Sequence, residues 1–394
     1  MLNEATRDFI RRHLDADVRQ LALQGGRDPE VDFPIALEQI AGRQKARTKI
    51  PSWAAIDGIV YPPHLSMEQC SSEQTARYKA EIAGKGNLFV DLTAGFGVDA
   101  AFISKGFTKA VCVEQQAHLC AISSSNYPFL GLSHVSIVCG DATDYLHHMD
   151  HADLLFIDPA RRDVHGGRTF GIADCTPNVL EMMDEMKAKA DRILIKLSPM
   201  LDWRKAVDDI GRGVSSVHIV SVDNECKELL IEVQKGECEG VRIVCVNLLS
   251  NGGREVFDFL PGSPDSSIHR PLSAVHYLYE PNASIMKAGC FELIAERFGL
   301  CQLEHNSHLF VSDTEVTDFP GRCFVIDRIT SMNKRDLKEA LTGIGRANIA
   351  VRNFPMTVAE LRKRLKLQDG GEVFIFATTV ANEGHRLFVC RKKS

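Results

Sequence analysis

The chain has 394 residues, 44% hydrophobic and 25% charged, too many for one ordinary domain and typical in composition of a globular protein, so two or three domains are expected. No apolar run approaches the ~18–20 residues of a membrane span, and the start, Met1-Leu2-Asn3-Glu4-Ala5-Thr6-Arg7-Asp8, lacks a signal core, which predicts a cytoplasmic protein without a membrane partner. A net charge of −6 excludes a uniformly basic nucleic-acid binder, and twelve cysteines with no C-x-x-C pair exclude a disulfide frame and a zinc site, so no metal is expected.

Residues 1–84 read as helical. Phe33-Pro34-Ile35 opens a segment that Pro51 stops, and Ser72 suits the N-cap of a second helix in which Thr75 sits in the first turn. Residues 85–249 alternate strands and helices, which predicts a parallel sheet with right-handed crossovers. Its first strand enters Phe89-Val90-Asp91-Leu92-Thr93-Ala94-Gly95-Phe96-Gly97-Val98-Asp99-Ala100, an apolar run ending in an acid, a two-glycine turn and a helix start. That geometry binds nucleotide-like ligands. The next run, Ala110–Val113, ends in Glu114, about 20 residues on, where a carboxylate reaches a ribose hydroxyl pair. A third run, Val135–Gly140, ends in Asp141, and a fourth, Leu154–Ile157, ends in Asp158-Pro159-Ala160-Arg161-Arg162. Each acid alone is an ordinary strand terminus or helix cap. Four in a row predict a ligand crevice at the carboxyl ends of a parallel sheet.

Helices are expected near Ala100–Lys105, Ala117–Leu130, Asn178–Ala190 and Asp202–Ile210, with a fifth strand at Ile193–Leu197. Val217–Val220 and Leu229–Val233, joined through Asp223-Asn224-Glu225, read as an antiparallel hairpin. Asn251-Gly252-Gly253 and Pro261-Gly262-Ser263-Pro264 read as a linker or loop region, followed by a small α/β segment, 250–322, with a helix at Ala288–Phe298. The last segment, 323–394, carries 14 Lys+Arg against 7 Asp+Glu, while the remainder nets −13. Such a basic end suits an anionic partner or a solvated face.

The motif run resembles that of Rossmann-fold methyltransferases that use S-adenosylmethionine, and Asp91-x-Thr93-Ala94-Gly95-x-Gly97-x-Asp99-Ala100 is similar to that of bacterial rRNA guanine-N2 methyltransferases. The resemblance implies an α/β, doubly wound sheet of the seven-stranded methyltransferase type, with an N-terminal helical region and small C-terminal α/β domains. It implies S-adenosylmethionine as cofactor, held by Asp91, Thr93, Gly95, Gly97, Asp99 and Glu114, with Asp141 and Ala142 beside the adenine. A nicotinamide dehydrogenase fits less well, because the first glycine of G-x-G-x-x-G is missing and Asp158-Pro159-Ala160-Arg161 has no role there. The 250–322 segment looks ferredoxin-like. Residues 323–394 resemble a THUMP-like domain, a module attached to RNA-modifying enzymes, which makes RNA the expected partner.

For an exocyclic amine acceptor, Asp158 and the Pro159 carbonyl would accept the two N–H bonds and aim the nitrogen lone pair. Related enzymes use D/N-P-P-Y/F. Here Ala160 and Arg161 replace the second proline and the stacking aromatic, so Arg161 is a catalytic candidate, since a guanidinium can stack on a base. Arg162, Phe170 and Lys196 are candidates for substrate contact. Arg362, Lys363 and Arg364 offer a basic helix face for phosphates or solvent. His147, His148 and His151 read as a surface helix end. The expected function is methylation of an amino group of an RNA base. The alternatives are a small-molecule or protein methyltransferase with a C-terminal interaction module, and a non-catalytic cofactor-binding protein.

Overall fold

Side-chain caps set where the N-terminal helices begin. Asp17, Asp32 and Ser72 each accept from backbone N–H groups of the turn they open, the donors a helix start leaves unpaired. The computed structural model describes residues 3–26, 28–161, 171–236, 238–262 and 274–393. Helices α1 (Glu4–Arg12), α2 (Val18–Gln24), α3 (Phe33–Lys49), α4 (Pro51–Ala54), α5 (His64–Gln69) and α6 (Glu73–Ala83) occupy the N-terminal region. Pro51 both ends α3 and opens α4, where a missing N–H is harmless.

Contacts divide the chain into two units, one comprising the chain to Val217 with Glu228–Val241, the other His218–Lys227 with the chain from Arg242 onward. In the first unit follow β1 (Gly86–Asp91), α7 (Val98–Ile103), β2 (Phe107–Glu114), α8 (Ala117–Asn126), β3 (Val135–Cys139), α9 (Ala142–His148) and β4 (Ala152–Ile157). After them come α10 (Val179–Lys189), β5 (Ala190–Leu197), α11 (Trp203–Ile210), β6 (Val214–Val222) and β7 (Glu225–Gln234), the turn end of the last two strands, His218–Lys227, counting with the second unit. The strands run in the order β3-β2-β1-β4-β5-β7-β6. β1 to β5 are parallel, and β7 joins β5 antiparallel.

Central strands carry unbroken apolar runs, such as Leu154–Ile157 and Ile193–Ile195, because helices cover both faces. β3, the edge, is only partly buried, and Cys139 at its end is exposed. The β6–β7 turn places Asp223 and Asn224 at φ 45° and 67°, the left-handed pair a two-residue hairpin requires.

The second unit sharpens the sequence reading at two places. β8 (Arg242–Leu248) and β9 (Arg254–Phe259) form an antiparallel hairpin, so of the linker or loop expected at Asn251-Gly252-Gly253 the segment is the loop, a hairpin turn. The Asn251 side chain accepts from the Gly253 N–H, and Gly252 takes φ 85°, which a glycine adopts freely. The helix expected at Ala288–Phe298 is α13 (Phe291–Phe298), and a further helix that was not expected, α12 (Ala283–Ala288), ends just before it, capped by Gly289 at φ 71°.

β10 (Tyr277–Pro281), β11 (Cys301–Gln302), β12 (Phe310–Ser312), β13 (Gly321–Thr330), β14 (Asn348–Arg352), β15 (Val373–Val380) and β16 (Gly384–Lys392) form one sheet, ordered β11-β12-β10-β13-β16-β15-β14. Helices α14 (Lys334–Ala340) and α15 (Val358–Leu365) lie between its later strands. The segments 250–322 and 323–394 therefore both contribute strands to it, and β13 pairs with β10 on one side and β16 on the other. Leu278, Leu309, Phe324, Phe376 and Phe388 fill one core of this unit.

Gly97, read as a cofactor contact, has a packing reason of its own. Its φ is +81°, and a Cβ there would be driven into the hydroxyl of buried Tyr127. Gly97→Val should therefore cost about 2–5 kcal/mol of stability from backbone strain plus overpacking. Urea unfolding of the variant checks this, and a wild-type midpoint would contradict the packing account.

Candidate active site

Four strand ends and one turn assemble the site. At the end of β1, Asp91 is fully buried and its carboxylate accepts the Thr93 N–H at 2.9 Å. Burial pushes its pKa well above the ordinary range, opposed by that N–H and aided by Asp99, Asp158 and Glu114. Gly95 follows at φ +56°, with open space where a side chain would stand, and donates its N–H to Glu114 Oε2 at 2.8 Å. Glu114, at the end of β2, also accepts the Gln116 N–H at 2.8 Å. These bonds hold the acid beside Gly95, where a side chain would meet nothing within 4 Å.

Thr93 links β1 to β4. Its Oγ1 accepts the Asp158 N–H at 2.7 Å, which fixes the backbone of the fourth strand-end acid. Asp158 Oδ2 meets Lys196 Nζ at 2.5 Å, and Lys196, near the end of β5, lies 3.7 Å from Asp99 Oδ2. Asp99, in the first turn of α7, accepts from Ser71 Oγ at 2.7 Å and pairs with Lys79 Nζ at 3.1 Å. Lys79, wholly buried on α6, donates to both oxygens of Glu228 at 2.6 and 2.7 Å and to Ser71 Oγ at 3.1 Å. Two ammoniums and three carboxylates thus share one interior.

The electrostatics follow from that inventory. Burial alone would lower Lys196, but Asp158, Asp99 and Glu228 outweigh it and hold its pKa above the usual lysine value, so it stays charged. Burial alone would raise Asp99, yet Lys79, Lys196 and Ser71 hold it below the ordinary carboxylate range.

The remaining candidates fall elsewhere. Asp141 is exposed and caps α9, accepting from the N–H groups of Thr143 and Asp144, while Ala142 is buried at the helix start. Pro159 is buried, and the Arg161 backbone pairs with Cys175 in a two-residue ladder. Arg162 and Phe170 lie outside the described residues. Ser72 and Thr75 form a helix cap. In the second unit, Lys363 and Arg364 are exposed on α15, but Arg362 is half-buried and pairs with Asp369 at 2.7 Å. His147 and His151 make exposed pairs with Glu185 and Asp191, and no group of three or more metal-ligating side chains occurs among the described residues. Nor is any described helix long and apolar enough to cross a membrane.

Sequence reasoning missed Ser71, Lys79 and Glu228. A signal existed for Lys79, which shares its helical face with buried Ala76 and Ala83 at spacings of three and four.

The strand order, the antiparallel closing hairpin and the strand-end acids define a Rossmann-fold methyltransferase of the S-adenosylmethionine-dependent class. Over their whole lengths, 100% of each, this chain and a candidate methyltransferase from Porphyromonas gingivalis W83 are 30% identical, with a TM-score of 0.85. The chain belongs to the family of that protein. Family models match a ferredoxin-like domain at residues 277–320 and a THUMP domain-like segment at 321–392. Partial likenesses include an rRNA methylase from Streptococcus thermophilus, 16% identical over 41% of this chain and 94% of that one, TM-score 0.31. Another is TrmK of M. capricolum, solved with S-adenosyl-homocysteine, 12% identical over 42% of this chain and 70% of that one, TM-score 0.33. No curated protein matches the chain.

Removing Lys79 should leave two buried carboxylates without their shared cation. Lys79→Met is expected to cost about 3–5 kcal/mol. Because Asp99 is held below its unfolded value, its share of stability is present above that value and lost as pH falls through the folded one. Lys79→Met should flatten this acid dependence, as urea melts across the acid range would report.

Proposed function

We propose that the protein transfers a methyl group from S-adenosylmethionine to an exocyclic amino group of an RNA base. The observation that carries the cofactor half is the open space at Gly95 beside the backbone-anchored carboxylate of Glu114. Glu114 would hold the ribose hydroxyls, the Thr93–Gly95 turn would face the ligand closely, and Asp141 with Ala142 would flank the adenine. When bound, the cofactor supplies an electrophilic methyl group on a sulfonium.

The chain's own task is then orientation. Asp158 sits one residue beyond β4 with its backbone tied to Thr93, and its side chain is 36% exposed, the most open carboxylate of the charged cluster. With the Pro159 carbonyl it would accept the two amine N–H bonds and aim the lone pair at the methyl group, which is where positioning contributes most. RNA as acceptor is supported by the THUMP domain-like match at 321–392 and by the basic balance of that region. Lys363 and Arg364 are the exposed cations of α15 that would contact phosphates.

Labelled cofactor, purified protein and RNA from cells lacking it, followed by mass spectrometry of the nucleosides, test the whole reading. A methylated exocyclic amine is expected, and label in protein or small molecules alone would overturn it. Gly95→Ala should cost only about 1–2 kcal/mol of stability yet weaken S-adenosylhomocysteine binding at least about tenfold, since the methyl enters ligand space. Asp158→Ala should keep that affinity within a few-fold and lose about 10²-fold in turnover. Calorimetry with the homocysteine product, beside single-turnover rates, separates the two effects.

Lys363→Glu with Arg364→Glu should weaken RNA binding most at low salt and reduce the salt slope by about 1 for each lost contact. Superimposable filter-binding curves would remove α15 from the interface.

A further inference from the structure

We propose that Lys196 is a positioning residue that clamps one oxygen of Asp158, Oδ2, and thereby leaves Oδ1 as the carboxylate atom available to the methyl acceptor. The proposal rests on the reading of Asp158 given under Proposed function. It departs from the expectation that Lys196 itself touches substrate.

Exposure sets the order of the two groups. The Lys196 side chain is 12% exposed and that of Asp158 36%, so a molecule entering the crevice meets the carboxylate first and the ammonium lies behind it. An aspartate carboxyl turns easily about its last torsion, which has broad wells. A lysine at 2.5 Å removes that freedom only if the lysine is itself held. Here it is held: Lys196 leans on Asp99, Asp99 on Ser71 and Lys79, and Lys79 on Glu228. The chain of contacts reaches from the open end of β4 through β5 and α7 to α6 and β7, and every member behind Asp158 is largely buried.

Charge gives the clamp a second effect. The groups that act on this corner are Asp91 from β1, Asp99 from α7, Glu228 from β7, Lys79 from α6, Lys49 from α3, and Cys70 just before α6. Lys79 is already spent on Asp99 and Glu228. Lys49 donates to the carbonyls of Met67 and Glu68. Without Lys196, Asp158 would face a surplus of carboxylates and bind a proton more readily. The Lys196 ammonium thus balances the charge of the acceptor-facing carboxylate as well as orienting it.

The test uses the full chain with Lys196→Met, Lys196→Arg and, should the methionine variant fail to fold, Lys196→Gln. Methyl transfer into total RNA from cells lacking the protein is followed against pH. For Lys196→Met, kcat should drop about 10²-fold with KM for RNA and S-adenosylhomocysteine affinity within a few-fold. The acid limb of kcat should move up by about one pH unit or more. Lys196→Arg should recover at least about tenfold of the lost rate and restore the acid limb. An unmoved acid limb, or a loss confined to KM or cofactor affinity, would overturn the proposal.

A second measurement needs no acceptor. Carbon-13 titration of labelled aspartate carboxyls, with Asp158→Asn for assignment, should show the Asp158 midpoint rising when Lys196 becomes Met or Gln. An unchanged midpoint refutes the clamp whatever the RNA assay gives. If wild-type protein methylates no RNA while the midpoint rises, the RNA reading fails and the clamp stands.

Discussion

A buried ammonium must find carboxylates, and in this protein that requirement organises the first unit. Lys79 has no contact with solvent, and its partners come from parts of the chain far apart in sequence, Asp99 at the head of α7 and Glu228 on β7. Each ion alone would cost several kcal/mol to bury. Together they hold α6, α7 and β7 at one end of the parallel sheet, and Lys196 extends the same pairing to Asp158 at the mouth of the crevice. Such a cluster contributes little net stability compared with apolar packing. What it supplies is a defined geometry around a single accessible carboxylate.

Much of that crevice was legible because strand ends announce themselves. An apolar run followed by an acid and a glycine turn has few other local solutions, and Asp91, Glu114 and Asp158 do stand at or just beyond the ends of β1, β2 and β4. The cap at Ser72 was equally plain, and its side chain accepts a backbone N–H at the start of α6. The ion cluster behind the acids was not legible in the same way. A lysine in a helix and a glutamate opening a strand both read as solvated, and only the tertiary fold removes water from Lys79 and Glu228.

Turn chemistry accounts for the other differences. Asn251-Gly252-Gly253 carries residues equally suited to a linker and to a hairpin, and the pairing of β8 with β9 decides between them only in three dimensions. Gly289 takes a left-handed φ that ends α12, so the expected helix starts later, at Phe291, and the helix before it went unread. Gly97 was read as a cofactor contact, and independently of that role its φ and the hydroxyl of Tyr127 both require a glycine there.

The shared sheet of the second unit bears on how such a region can be inherited. β13 lies at the start of the THUMP domain-like match, yet its pairing partner β10 belongs to the ferredoxin-like match before it. Cutting the chain between the two would bare an unpaired strand edge on each piece, the surface along which chains aggregate. Recombination that moved either segment alone would therefore be selected against, so the two should travel between genes as one cassette and lengthen or shrink only at the loops between their strands.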